Sequence, residues 1–167
     1  MAKQSAGLLV YRNTGKEPEV LIIHPGGPFW AKKDKGAWSI PKGEIEGVET
    51  DLLAVAKREF AEETGQPAPA GGYLELGTVK NKSGKVIYAW AVEGDLDAAA
   101  IQSNTFSMEW PPKSGQQQDF PEVDKAGWFS LDKARAKLNA AQGAFLDRLA
   151  EQLGAEIAEP PQQRSLF

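Results

Sequence analysis

The chain contains no cysteine and a single histidine, His24. The first absence excludes disulfides, thiolate nucleophiles and cysteine-held zinc. The second excludes histidine clusters. Any metal must then be held by oxygen ligands, which means a hard cation such as Mg²⁺ or Mn²⁺. Long apolar runs are also missing: nothing approaches the length of a membrane span, and the apolar stretch in "MAKQSAGLLVYR" is too short for a signal peptide. The expected compartment is therefore cytoplasmic, with no membrane partner. Excess charge is missing too. A net charge of −4 gives no general electrostatic reason to bind nucleic acid.

What is present fits one domain. The 167 residues are enough to bury a core without staples, and 41% hydrophobic with 25% charged residues is ordinary for a globular protein. "SAGLLVYR" (5–12) and "EVLIIH" (19–24) read as a hairpin across the turn "NTGKEP". A Pro/Gly loop (25–36) with three lysines and two aromatics leads to "AWSIPKGE" (37–44), a short strand ending in a turn. Residues 50–64 turn helical, with Leu53, Ala56 and Phe60 on one stripe, Thr50 or Asp51 to cap the start and Gly65 to end it. "GYLELGTVKN" and "KVIYAWAVEG" flank "KSG" as a second hairpin. Segment 95–122 reads as mostly irregular with a short strand near "NTFSM". A strand over 123–131 and two terminal helices follow. The pattern is α+β or mixed-sheet α/β.

The unusual stretch is "AKREFAEETG" (56–65), where Glu59, Glu62 and Glu63 fall at spacings of three and four. Like charges so placed repel on a helix. Two readings remain: a solvated face quieted by Lys57 and Arg58 through pairs such as Arg58–Glu62, or a carboxylate set that holds a cation and, through it, phosphates.

With its surroundings, "GEIEGVETDLLAVAKREFAEETGQ" (43–66) resembles the Nudix hydrolase box: Gly, five residues, Glu, seven residues, Arg-Glu, a hydrophobic residue, any residue, Glu-Glu, any residue, Gly, and a hydrophobic residue. "REFAEETG" (58–65) matches at every specified position. Between Glu49 and Arg58, however, lie eight residues instead of seven, and Gln66 stands where a hydrophobic residue is usual. Counting back from Arg58 puts Thr50 and Glu44 at the upstream Glu and Gly positions, so either Gly43 or Glu44 is the residue nearest the metal.

The resemblance implies an α/β/α sandwich with a mixed sheet, a Nudix domain over 1–154 and a tail over 155–167. It implies Mg²⁺ or Mn²⁺ held by Glu59, Glu62 and Glu63, with the Gly43 carbonyl as a further ligand, and Arg58 pairing with Glu49 or Glu62 to hold the ligands in place. The implied activity is hydrolysis of a pyrophosphate bond in a nucleotide, with a nucleoside triphosphate or dinucleoside polyphosphate as the first expectation. ADP-ribose, a sugar nucleotide or a non-catalytic nucleotide-binding role are the alternatives.

Lys32, Lys33, Lys35 and Lys42 supply cations for phosphate, Lys42 foremost because it adjoins Gly43. Phe29, Trp30, Tyr88 and Trp110 offer flat surfaces for a base, whereas Trp38, Trp90 and Trp128 read as core. Glu109, Asp119 and Glu122 are the candidates for a general base outside the box, Glu122 preferred for its place at a strand end. His24, closing an apolar strand, reads as structural. Lastly, "QRSLF" (163–167) resembles the bacterial sliding-clamp-binding pentapeptide, with Gln163, Leu166 and Phe167 matching and Arg164 in place of a leucine.

Overall fold

The computed structural model describes residues 3–13, 17–47 and 51–157, the last three by backbone alone. Glu49, Thr50 and the pentapeptide at 163–167 lie outside the described residues.

The centre of the sheet is β1 (Gln4–Asn13), buried from Ser5 to Tyr11. A run buried on both faces is what a strand covered by two layers requires. One edge of β1 pairs in parallel with β5 (Val86–Glu93) along its length, from Gln4↔Val86 to Tyr11↔Glu93. The other edge is shared. Its first part pairs with β3 (Lys42–Glu44) at Ser5, Ala6 and Gly7, and its last part with β2 (Pro18–Pro25) at Tyr11, Arg12 and Asn13. The predicted 5–24 hairpin is therefore present, but it is paired only near its turn. With β4 (Leu74–Lys80) and β8 (Val123–Ser130) the order is β4-β5-β1-β2-β8, β3 joining at β1.

Alternation along β1 builds two cores. Ala6, Leu8 and Val10 pack with Val55, Ala56 and Phe60 of α1 (Leu52–Thr64). Leu9 and Tyr11 face the other way, toward Ala134 of α2 (Leu131–Lys137) and Phe145, Leu146, Leu149 and Leu153 of α3 (Gly143–Ile157). A mixed sheet between helices is the expected α/β/α sandwich. Phe60, fully buried, pins α1 to the sheet; its truncation to alanine costs about 3–5 kcal/mol. The ends of α1 follow the caps read in the sequence. Asp51 accepts from the Ala54 amide at 3.1 Å, and Gly65, at φ 73°, donates to the Ala61 carbonyl at 2.8 Å. Gln66, at the expected hydrophobic position, instead donates from its side chain to the Asp97 carbonyl at 3.2 Å.

Segment 95–122 holds the short strand expected near "NTFSM" and is otherwise more regular than its reading. It holds a short 3-10 helix (Ala98–Ala100) and a hairpin of β6 (Thr105–Glu109) and β7 (Gln117–Pro121). The hairpin stands apart from the main sheet, so most of its side chains meet water and β7, "QQDFP", carries no apolar alternation to betray it.

Candidate active site

The central relationship is between β3 and α1. Strand pairing sets Gly43 opposite Ala6, and Ala6 points toward α1. Gly43 therefore turns its bare side to the helix, where a β-carbon would overlap the Glu59 carboxylate. One residue earlier, the Lys42 amide donates to Glu63 Oε1 at 3.1 Å. The backbone of β3 thus meets two of the three box glutamates. The third, Glu62, is exposed. Arg58, also exposed, places Nη2 3.4 Å from Glu59 Oε2.

Strand alternation settles which residue of the Gly43/Glu44 pair faces the helix. Glu44 pairs with Ser5, on the opposite face from Ala6, and its carboxylate is taken by Lys85 at 3.3 Å. The Lys42 side chain leaves on that same opposite face, its Cβ lying across Gly7.

Burial dominates the charges here. The Glu63 carboxyl is pushed up to about 8 by desolvation, which outweighs the Lys42 amide and ammonium. Glu59 is raised as well, first by burial and then by the negative charge of Glu62. Lys42 is shifted down, by burial and by Lys85. Oppositely charged neighbours normally hold each other ionised; here Lys42 and Glu63 both move toward neutrality, so lost hydration exceeds their attraction.

Glu122 sits at the bend between β7 and β8, and its charge raises both Glu59 and Glu63. With Glu63, Lys42, Ile23, Pro25, Ser39, Ile40 and Val123 it lines a cavity of about 130 Å³. The other two acids serve the hairpin. Glu109 accepts from the Gly115 amide at 2.7 Å, and Asp119 accepts from the Ser107 hydroxyl.

The aromatic candidates divide into two places. Tyr88 is on β5, beside Ala6, so Tyr88, Ala6 and Gly43 form one row across three strands. Trp30 and Trp110 belong to the other side, where loop 25–36 meets the hairpin. Phe29 and Trp110 touch edge to face at 6.2 Å, and Lys33 lies over the Trp30 ring at 5.3 Å. Lys32, Lys33 and Lys35 are all exposed on this loop.

Of the residues that fix this loop, the sequence pointed to His24 but not to its partner Asp124. His24 is buried as expected, with Nδ1 2.8 Å from Asp124 and Nε2 donating to the Lys33 carbonyl at 2.6 Å. Nothing local marks Asp124. Gly26 and Gly27 did carry a signal in "PGGP". The Gly26 amide donates to the Glu122 carbonyl at 3.0 Å, a β-carbon there would overlap Pro121, and one on Gly27 would meet the Phe106 ring.

These donors fit a hard divalent cation. Glu59 and Glu63 are hard oxygen donors whose carboxylates meet the β3 backbone, and the Gly43 cradle admits no side chain between β3 and Glu59. Among the described residues no three acids already converge at ligand distance; exposed Glu62 has the freedom to complete a set.

Among solved structures, the chain superposes on the Caenorhabditis elegans Ap4A hydrolase in a binary complex, with a TM-score of 0.64, 20% identity and coverage of 90% of this chain and 98% of that one. The NUDIX domain of Shewanella oneidensis NrtR complexed with ADP ribose gives 0.62, 17%, 92% and 89%, and the MutT protein of Methanosarcina mazei gives 0.58, 21%, 90% and 94%. At these identities the likeness is one of fold. No curated protein matches the chain. The model of the NUDIX domain matches residues 1–149, nearly all of the sandwich, and the chain therefore belongs to the Nudix hydrolase family.

Proposed function

We propose that the protein is a Mg²⁺- or Mn²⁺-dependent pyrophosphohydrolase acting on a nucleotide, a nucleoside triphosphate or a dinucleoside polyphosphate. The observation that carries this reading is the β3 backbone set against two box glutamates, Gly43 on Glu59 and the Lys42 amide on Glu63. Glu59, Glu62, Glu63 and the Gly43 carbonyl hold the cation. When bound, it neutralises the anhydride phosphates and acidifies a coordinated water.

The chain's own residues do the rest. Glu122, which opens onto the same cavity as Glu63, accepts the proton from the attacking water. The water oxygen bonds to phosphorus, the bridging P–O bond breaks, and the departing phosphate leaves as the anion. Lys42 acts through its amide, which fixes Glu63. Arg58 orients Glu59. Tyr88 on one side, or Trp30 and Trp110 on the other, provides the surface for the base. Lys32, Lys33 and Lys35 add positive charge for the phosphates.

A panel of nucleotides assayed with Mg²⁺ and Mn²⁺, on wild type and on Glu62→Gln and Glu63→Gln, tests this. Turnover should fall by orders of magnitude in each variant with the fold retained. Equal hydrolysis by wild type and variants overturns the metal assignment.

A second substrate reading, ADP-ribose or a sugar nucleotide, draws on the ADP-ribose complex of the NrtR domain and belongs in the same panel. The domain plan is a Nudix domain over 1–154 and a tail over 155–167, whose segment 163–167 is a candidate contact for a sliding clamp. Pull-down of sliding clamp by the full chain, but not by a chain lacking 163–167, would support the tail's part in it. Among the described residues no helix is long and apolar enough to cross a membrane.

A further inference from the structure

The Ile40 amide falls where the strand pairings around it run out. Trp38 is bridged in parallel to Leu138. Its amide donates to the Lys137 carbonyl at 2.9 Å, and its carbonyl accepts from the Asn139 amide at 2.9 Å. Continued by one step, that ladder would give the Ile40 amide the Asn139 carbonyl. The short 3-10 helix Ala140–Gln142 takes that carbonyl instead, for the Gln142 amide at 2.9 Å. On the other side, Ser39 exchanges both backbone bonds with Ile23 of β2, at 2.8 and 2.9 Å. The next pairing, from the Leu8 amide to the Pro41 carbonyl at 3.1 Å, already belongs to β1. Ile40, fully buried, is thus the crossing from one strand to the other, and its amide must find a side chain.

Gln142 supplies it. Its Oε1 accepts from the Ile40 amide at 2.9 Å, and its Nε2 donates to the Ser39 hydroxyl at 3.1 Å. That hydroxyl in turn donates to the Ile40 carbonyl at 2.7 Å. One side chain, 2% exposed and 102 positions away in the chain, therefore fixes the amide of Ile40 directly and its carbonyl through Ser39.

What Ile40 leads to is the carboxylate site. Ser39, Ile40 and Lys42 line the cavity that holds Glu63 and Glu122. Pro41 is anchored to Leu8, and the next amide, that of Lys42, donates to Glu63 Oε1 at 3.1 Å. A proline has a fixed φ, so the chain between Ile40 and Lys42 has little freedom to absorb a shift. A displacement at Ile40 is passed on to the Lys42 amide and to Gly43, the two points of backbone that meet the box glutamates.

We propose that Gln142 is a positioning residue for the metal site: it replaces the missing ladder bond at Ile40 and so sets the Lys42 amide and Gly43 against Glu63 and Glu59. This rests on the hydrolase reading above, in the part that assigns Glu59 and Glu63 to a cation.

The test is titration calorimetry with Mn²⁺ on wild type, Gln142→Leu, Gln142→Glu and Leu149→Ala, each at a temperature where it is folded. Leu149→Ala is a cut in the buried core of α3 outside this hydrogen-bonded network. Mn²⁺ binding should be about tenfold weaker in Gln142→Leu, as when outer support of a metal ligand is lost. Gln142→Glu keeps an acceptor for the Ile40 amide and should recover most of that loss. Leu149→Ala, destabilised with the network intact, should bind as wild type does. Wild-type affinity in Gln142→Leu, or a loss no larger than in Leu149→Ala, overturns the positioning role and leaves the metal assignment standing. Should Gln142→Leu fail to fold, Ser39→Ala cuts the same network from its other end, and undiminished Mn²⁺ affinity there overturns the proposal equally. Wild type that binds no Mn²⁺ removes both the metal assignment and this inference.

Discussion

His24 and Asp124, a hundred positions apart in the chain, meet at 2.8 Å, and the other ring nitrogen of His24 holds the Lys33 carbonyl. One buried imidazole therefore ties β2, the start of β8 and the lysine-aromatic loop together. His24→Ala leaves these acceptors without their partner and opens a cavity beside Trp38, whose ring lies 5.3 Å away. We expect a loss of about 2–4 kcal/mol in stability, read from urea denaturation. Limited proteolysis should show new cleavage within 25–36. Unchanged stability would mean that the tether carries no load.

Gly43→Ala places a methyl where the Glu59 carboxylate now lies. The carboxylate is the far end of a flexible side chain, so it yields before the backbone does. The expected result is a near-native melting temperature with Mn²⁺ affinity and turnover reduced about 10- to 100-fold, as for disturbed ligand support generally. Titration calorimetry with Mn²⁺ and a thermal melt separate the two effects.

Glu122→Gln keeps shape and removes the proton acceptor. Turnover should fall about 10²–10⁴-fold at the optimum pH. Mn²⁺ affinity should hold within a few-fold, which distinguishes this position from Glu59 and Glu63. A loss of metal binding equal to theirs would make Glu122 a ligand instead.

The raised Glu63 carboxyl gives the metal-free protein a pH signature. Its ordinary value is 4.5 and its folded value about 8, so between these the folded chain keeps a proton that the unfolded chain has released. Stability from this group is complete below 4.5 and is lost as pH rises through about 8. Urea midpoints of metal-free wild type should fall across that window, and Glu63→Gln should flatten the slope. Saturating Mg²⁺ should stabilise the protein most at the alkaline end, where the carboxylate is ionised.

What the sequence made legible was whatever is written locally. The box helix carries its own caps in Asp51 and Gly65 and its own apolar stripe, and its glutamates are spaced for one face. The strands of the main sheet announce themselves because water meets at most one of their faces. Of the β6–β7 hairpin only β6 was legible, as the strand near "NTFSM", where Phe106 and Met108 are a half-buried pair; β7 was hidden because the hairpin covers little. The direction of the Lys42 side chain was hidden for another reason. On a three-residue strand, one step of register decides which face each side chain takes, and the extra residue before α1 left that step open. His24–Asp124 is a pairing between distant segments, which no window of sequence contains.

The divided edge of β1 has a consequence for how such a protein can change. Because β2 and β3 take different halves of the same edge, they must part company between Gly7 and Tyr11, and the carboxylate pocket opens beside that fork. The pocket is thus a seam in the sheet, framed by backbone. Loop 25–36 and the hairpin spring from its rim at Pro25 and Glu122 and are tied back to it by the His24–Lys33 and Gly26–Glu122 hydrogen bonds. Replacements that keep those ties can alter reach toward the far end of a substrate, while the chemistry at the seam stays in register.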